Sequence, residues 1–201
     1  MENILKGLND ENVWKRAGYA YLVFFVLLIL SYLLGYFLLP EGIMKKLPFP
    51  SIMAFEGTES FPVLIAKTLS FNLFFIAIIV GANLFRVRSF TFGYLPLYAN
   101  TILMGLFAGT NSFSGTVSTY TPEGWLLFLK IGFLEFSAYI LVCVSTVGFA
   151  MYHAEKWRGE NFKKIRRFKD IRLSRQEVIF LLVALILLFI AAINEWKFTG
   201  S

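Results

Sequence analysis

The feature that most constrains this chain is a series of long apolar stretches, at residues 18–40, 61–85, 90–112, 125–152 and 178–196. Each is close to or above the roughly 20 residues that a helix needs to cross the hydrocarbon core of a bilayer. Inside lipid the backbone polar groups must be satisfied within the segment, which favours helices. The sequence therefore predicts an all-α, multi-pass bundle of about five transmembrane helices, and the chain of 201 residues leaves room for this single membrane domain alone.

The composition agrees with a membrane protein. The chain is 57% hydrophobic and 18% aromatic, with a mean hydropathy of +0.66, which excludes a soluble domain of ordinary composition. Its single cysteine, Cys143, lies inside the fourth stretch and can form no intramolecular disulfide. No small-residue cleavage site follows the first stretch, so we expect a retained anchor and a location in the cell membrane.

The distribution of positive charge predicts an orientation. Of the nineteen lysines and arginines, fourteen lie before the first stretch, between the second and third, or between the fourth and fifth. Three lie in the segments on the other side, and two lie within the stretches. Because basic residues mark the cytoplasmic side, the N-terminus is predicted inside and the C-terminus outside. The net charge of +6 is thus one-sided and requires no nucleic-acid partner.

A basic cytoplasmic segment, residues 153–176, reads "HAEKWRGENFKKIRRFKDIRLSRQ". Its apolar residues recur every three to five positions among the cations, which is compatible with one stripe of an interfacial helix. A plain basic loop and a docking site for an acidic partner remain alternatives. In each case the expected contacts with anionic lipid are Lys163, Lys164, Arg166, Arg167 and Lys169.

Pairs of small residues four positions apart predict close helix packing in three of the stretches. These pairs are Ser31 with Gly35, Ala77 with Gly81, and Gly105 with Gly109. Small residues let helix backbones approach closely in lipid, either within one chain or in a homo-oligomer.

Two further features concern the last two stretches. Gly132 is a small residue of the fourth stretch that we also expect at a helix contact. Within the fifth stretch, residues 178–193, "VIFLLVALILLFIAAI", have no polar side chain and predict a peripheral helix that mostly faces lipid.

A polar layer is predicted near the middle of the bilayer. Asn72, Asn100 and Glu135 each lie ten or eleven residues into their stretches, which places them about 15 Å deep in a core of about 30 Å. A charge at this depth costs roughly 2.5 to 3.5 kcal/mol on insertion scales, so Glu135 is expected to face other helices.

Two arrangements would satisfy Glu135. In its neutral form it can donate a hydrogen bond to an asparagine carbonyl, and in its ionised form it needs Lys67 or Lys130 as a charge partner. Lys130 precedes Glu135 by five residues, about 140° around a helix, which is poor geometry for an intrahelical pair. Lys67 is therefore the better of the two lysines.

The order and spacing of these residues resemble the stage II sporulation protein M family, whose members have five membrane spans. That family has an asparagine followed by a glycine in one span, "NG" with a later glycine in the next, and "HGxxE" in the fourth. Asn72 and Gly81 resemble the first motif, Asn100 and Gly105 the second, and residues 131–135, "IGFLE", the third. The resemblance covers roughly residues 18–196.

This sequence departs from the family pattern at three positions. Thr101 replaces the glycine of the second motif, Ile131 stands where the family has histidine, and Lys130 stands where it often has proline. The function of that histidine in relatives cannot be served by the same position here. The one histidine of this chain, His153, lies at the cytoplasmic end of the fourth stretch.

The resemblance implies a non-enzymatic scaffold that organises partner proteins at the membrane. The best understood member of the family holds stage II sporulation proteins D and P, which remodel peptidoglycan during engulfment. We accordingly expect membrane lipids and other membrane or envelope proteins as partners, with a homo-oligomer as a further expectation.

Two other classes of function are weighed against the scaffold. A transporter or lipid-binding protein would use the polar layer around Glu135, because ionisable residues inside membranes often line a substrate path. An enzyme is the weakest alternative, since the sequence has no HExxH or GxSxG motif. No catalytic residue, metal site or cofactor is predicted.

Overall fold

The computed structural model describes residues 2–46, 60–113, 117–156 and 161–199. The chain is mostly helical, and four helices within the described ranges are long and apolar enough to cross a membrane: Val13–Leu38, Phe61–Ala82, Pro122–Phe149 and Arg175–Phe198. The prediction of a helical membrane protein is confirmed at this level, and the described residues contain four such helices.

The described elements follow one another in this order. The α-helices are α1 (Glu2–Leu8), α2 (Val13–Leu38), α3 (Phe61–Asn83), α4 (Tyr94–Gly109), α5 (Pro122–Lys130), α6 (Gly132–Thr146) and α7 (Arg175–Thr199). The strands are β1 (Phe85–Val87), β2 (Phe90–Thr91), β3 (Tyr152–Ala154) and β4 (Lys163–Lys164). Short 3-10 turns span Ile43–Lys46, Val147–Phe149 and Phe168–Asp170.

Local capping residues explain where several helices begin. The Asn12 side chain accepts hydrogen bonds from the backbone amides of Trp14 and Lys15, at 2.9 and 3.4 Å, and so caps α2. The Thr121 hydroxyl caps α5 in the same way, and Pro122 follows at the first helical position, where proline is well tolerated.

The third predicted stretch, 90–112, forms a shorter helix than expected. Helix α4 has 16 residues, which at 1.5 Å per residue is about 24 Å and less than the core of about 30 Å. The first residues of the stretch are used differently, because Phe90 and Thr91 form strand β2. Pro96 lies in the first turn of α4, where its missing amide costs no helical hydrogen bond.

The fourth predicted stretch, 125–152, is interrupted. Helices α5 and α6 meet at Ile131, whose backbone angles, φ −123° and ψ −74°, are not helical. Gly132 follows at once and is buried, and a Cβ there would lie 2.9 Å from the Phe128 ring. The break thus lies inside the region that resembles the family's "HGxxE" motif.

A small four-stranded sheet corrects the all-α prediction. Its strand order is β2-β1-β3-β4, with β1 and β3 parallel and the two outer pairs antiparallel. It joins the α3–α4 connection to the basic segment between α6 and α7. Strands of two or three residues are too short to produce an alternating sequence pattern, so apolar periodicity could not reveal them.

The basic segment 153–176 is not an interfacial helix in the part that the structure describes, which omits residues 157–160. It contains β3, β4, one 3-10 turn and the first residues of α7. The helical alternative for this segment is therefore wrong for the described residues. The pairing of the strands explains why the segment is not helical. It provides hydrogen-bond partners for backbone groups that would otherwise bond within a helix.

Helix α6 is the centre of the bundle. Every residue from 136 to 147 is buried, which is typical of a helix surrounded by others on all sides. Helix α7 packs against α6 and α3, while α2 packs along α4. The expectation of a peripheral last helix holds for its outer face only, since Phe180, Ala184 and Leu188 are buried.

A buried ion pair joins the first turns of α2 and α7 at the end of the bundle that carries the sheet. The Arg16 Nη2 atom lies 2.5 Å from Glu177 Oε1, and both residues are less than a tenth exposed. The Ser174 backbone amide donates to the other oxygen of Glu177 at 2.8 Å. Removing one partner of such a pair leaves an uncompensated buried charge, so the loss of either side chain should destabilise the contact between these helices.

Candidate functional site

Two members of the predicted polar layer are in direct contact. The Asn72 Nδ2 atom on α3 donates a hydrogen bond to Glu135 Oε1 on α6, at 2.8 Å. The Tyr139 hydroxyl, one turn after Glu135, donates to Asn72 Oδ1. Because Tyr139 occupies the amide oxygen, the amide nitrogen of Asn72 is the group that faces the carboxylate.

The third member, Asn100, lies on α4 and faces the same cavity without joining this network. It is half-buried, and it lines the cavity together with Asn72 and Glu135. Within the described part of the chain its amide has no hydrogen-bond partner. The structure therefore brings the three predicted residues to one cavity but bonds only two of them.

A second carboxylate, which the sequence analysis missed, lies in the same wall. The Thr68 hydroxyl on α3 donates to Glu195 Oε2 on α7, at 2.8 Å. Thr68 and Tyr139 each lie one turn from a predicted residue, so helical spacing could have identified them. Glu195 offered no such signal, because it lies at the very end of the fifth apolar stretch, beside Trp196, which is typical of the membrane interface.

The polar residues just described form part of the lining of a cavity of about 430 Å³ between the helices. Six of its lining residues form what we call the polar wall: Thr68, Asn72, Asn100, Glu135, Tyr139 and Glu195. Most of the remaining lining is apolar and includes Leu28, Phe71, Met104, Trp125, Phe128 and Phe136. The cavity extends to the end of the bundle opposite the sheet, where Val117 and Thr119 of the α4–α5 connection also line it.

The two lysines considered as charge partners lie outside the cavity lining. Lys130 ends α5 and is exposed, and its backbone oxygen accepts a hydrogen bond from Asn194 Nδ2 at 2.8 Å. Lys67 is half-buried and precedes Thr68 on α3, but it does not belong to the residues that line the cavity. The described hydrogen bond to the Glu135 carboxylate comes from Asn72.

Two of the three small-residue pairs face each other. Ser31 and Gly35 on α2 lie against Gly105 and Gly109 on α4, and the two helices run in the same direction. A Cβ on Gly105 would overlap the Ser31 hydroxyl, and one on Gly35 would lie 3.1 Å from the Leu106 carbonyl oxygen. This contact forms one wall of the bundle beside the cavity.

The third pair lies on an open surface of α3. Ala77 is exposed, and no atom outside the helix lies within 4 Å of a Cβ built on Gly81, among the described residues. Small residues placed in this way leave a shallow strip on the side of α3 that no described helix covers.

The five basic residues predicted to contact anionic lipid are all exposed at the sheet end of the bundle. Lys163 and Lys164 form β4, Arg166 and Arg167 follow it, and Lys169 lies in the next 3-10 turn. The Arg166 Nη1 atom donates to the Gly148 carbonyl oxygen at 2.6 Å, which ties this segment to the end of α6.

Comparison of the chain with family models, with curated proteins and with solved structures finds no match. Within the described ranges, no group of three or more histidine, cysteine, aspartate or glutamate side chains could hold a metal ion. The lining of the cavity offers hydrogen bonding and charge at the polar wall, together with apolar contact along the rest.

Proposed function

We propose that this protein is a non-enzymatic, multi-pass protein of the cell membrane that binds one amphipathic small molecule in the cavity beside Glu135. The cavity itself is the observation that carries the proposal. Its volume of about 430 Å³ lies within the range of roughly 300 to 1,000 Å³ that is usual for small-molecule sites. A mostly apolar lining with a few converging polar groups is the usual composition of such sites.

The two kinds of lining suit the two parts of an amphiphile. The apolar rings and aliphatic chains match a hydrocarbon tail, while the polar wall matches a head group. Polar groups in an apolar surrounding are costly without partners, and ionisable residues within membranes are by default candidates for substrate contact. The polar layer around Glu135 also suggests an extension of this proposal, in which the protein transports the same molecule across the membrane.

We further propose five crossings, with the N-terminus inside and the C-terminus outside. The predicted charge distribution supports this orientation, and α4 runs parallel to α2 along its small-residue contact. Under this orientation the sheet lies at the cytoplasmic side and the cavity extends toward the outer side.

Filling the cavity tests the proposal. Ala108 lines the cavity on α4, whereas Ala99 on the same helix is exposed. Ala108→Trp places an indole in the ligand space, and Ala99→Trp adds the same bulk on the outside of the bundle. We expect native mass spectrometry of protein released from nanodiscs to show one retained amphiphile for the wild type and Ala99→Trp, and none for Ala108→Trp.

The proposal would be contradicted by either of two results. One is an absence of any retained molecule in the wild type across nanodiscs of different lipid composition. The other is equal retention by Ala108→Trp and Ala99→Trp, provided that both variants keep the helical content of the wild type by circular dichroism.

A scaffold that organises partner proteins is the second candidate function. The open strip of Ala77 and Gly81 favours it, since small residues on an uncovered helix face permit close approach by another helix. Gly81→Leu should then abolish chemical cross-linking of the protein to its membrane partner or to a second copy. Gly18→Leu is the matched control, because a Cβ there also meets no atom within 4 Å, and unchanged cross-linking in Gly81→Leu would argue against the scaffold.

A further inference from the structure

The charged groups in the cavity lining all have the same sign. Glu135 on α6 and Glu195 on α7 both line it, and no lysine, arginine or histidine does so among the described residues. A head group that enters this cavity therefore meets two carboxyl groups from two different helices.

The described donor to the Glu135 carboxylate is a neutral side chain. Asn72 donates to one oxygen of Glu135, and Thr68 donates to one oxygen of Glu195, both at 2.8 Å. Tyr139 holds the Asn72 amide in the orientation that this contact requires. A neutral donor such as Asn72 fixes the position of the Glu135 carboxylate without cancelling its charge.

Two polar groups in the wall are left for a ligand. Glu135 Oε2 accepts no hydrogen bond from any residue that the structure describes, and the Asn100 amide has no partner there either. Both residues line the cavity. An oxygen acceptor on Glu135 and a carbonyl acceptor on Asn100 together suit a head group with several N–H donors.

We infer that the cavity selects an amphiphile whose head group is a primary ammonium, with its N–H groups toward Glu135 and Asn100 and its apolar tail among the aromatic rings. This inference rests on the proposed function. An ammonium provides the counter-charge that makes a buried carboxylate tolerable and forms the stronger, charge-assisted type of hydrogen bond. A carboxylate or phosphate head group would instead meet like charge.

Three probes of equal chain length test the head-group class: dodecylamine, dodecanol and dodecanoate. Binding is measured at pH 7 on the full chain in nanodiscs of zwitterionic lipid, where the amine is protonated. We expect dodecylamine to bind at least tenfold more tightly than dodecanol and dodecanoate to bind most weakly. Glu135→Gln should weaken dodecylamine at least tenfold and leave dodecanol within about twofold.

Glu123→Gln is the matched control, because Glu123 is exposed on α5 and lies outside the cavity lining. It should leave the affinity for all three probes unchanged, which separates the cavity from attraction to surface charge. If Glu135→Gln fails to fold, Glu195→Gln and the ranking of the three probes on the wild type provide the same test.

The outcomes distinguish this inference from the proposed function. Equal binding of the three probes, lost together in Ala108→Trp, would overturn the ammonium inference and leave the cavity as a binding site. If dodecanoate bound most tightly of the three probes, the ammonium inference would likewise be overturned and the cavity would remain a binding site. Binding that neither Glu135→Gln nor Ala108→Trp changes would overturn both.

Discussion

At the scale of single residues, identical glycines have different surroundings. Gly109 on α4 lies against the backbone of α2, and a Cβ there would overlap the Tyr32 carbonyl oxygen. Gly81 on α3 has no atom from another element within 4 Å of the same position, within the described chain. The sequence pattern is the same in both helices, so the neighbouring backbone alone decides what each glycine contributes.

Gly109→Ala is expected to destabilise the bundle, because the backbones of α2 and α4 must separate to admit the methyl group. Overpacking of this kind typically costs about 1 to 3 kcal/mol. Gly81→Ala should leave stability unchanged or raise it slightly, since alanine is the better helix former. Thermal unfolding of both variants in the same detergent measures the two effects. A lower Tm for Gly81→Ala than for Gly109→Ala would contradict the close packing of Gly109 against α2.

At the scale of elements, the sheet determines where the basic segment lies. Strand β4 pairs with β3, which follows directly after the end of α6. The segment therefore stays at one end of the bundle. Phe168 and Ile165 are 76% and 57% exposed between its cations, so apolar and basic side chains are presented on the same surface. Such a surface suits an anionic leaflet, to which each cation contributes about 1 kcal/mol.

We predict that Phe168 contacts the cytoplasmic leaflet. A Phe168→Cys variant in a Cys143→Ala background, labelled with an environment-sensitive fluorophore, should emit at shorter wavelength in nanodiscs with anionic lipid than in zwitterionic ones. High salt should reduce the difference, because it screens exposed charges.

Tyr120→Cys provides the control for this measurement, as Tyr120 is exposed at the opposite end of the bundle. Its emission should not depend on the charge of the lipid. The same emission from the label at position 168 in both lipids would show that the segment is held away from the leaflet.

At the scale of the whole molecule, the two ends of the bundle differ in charge and in structure. One end carries the sheet, the exposed basic residues and the Arg16–Glu177 pair. The other carries the loop residues that border the cavity. In the part of the chain that the structure describes, four helices are long enough to cross a bilayer. A crossing by the shorter α4 would make five and would place the two termini on opposite sides.

The predicted orientation places Glu11 and Lys197 on opposite sides of the membrane, because five crossings are an odd number. Both residues are exposed. In the Cys143→Ala background, a membrane-impermeant maleimide added to intact cells should label Lys197→Cys, and it should label Glu11→Cys only after permeabilisation. Labelling of both from one side would instead indicate an even number of crossings.

The sequence by itself determined that this is a helical membrane protein and where its long apolar helices lie along the chain. Apolar length is a local property, and the bilayer accepts few structures for such segments. The polar layer was foreseeable for the same reason, since Asn72, Asn100 and Glu135 could be placed by depth.

Only the tertiary structure decided the contacts between distant segments. Asn72 and Glu135 are 63 residues apart in the chain, and Thr68 and Glu195 are 127 apart. The sheet and the second carboxylate left no periodic signal, because strands of two or three residues have no pattern and Glu195 lies at the end of an apolar run. The cavity and the charge of its lining therefore follow from how the helices pack, which no single segment encodes.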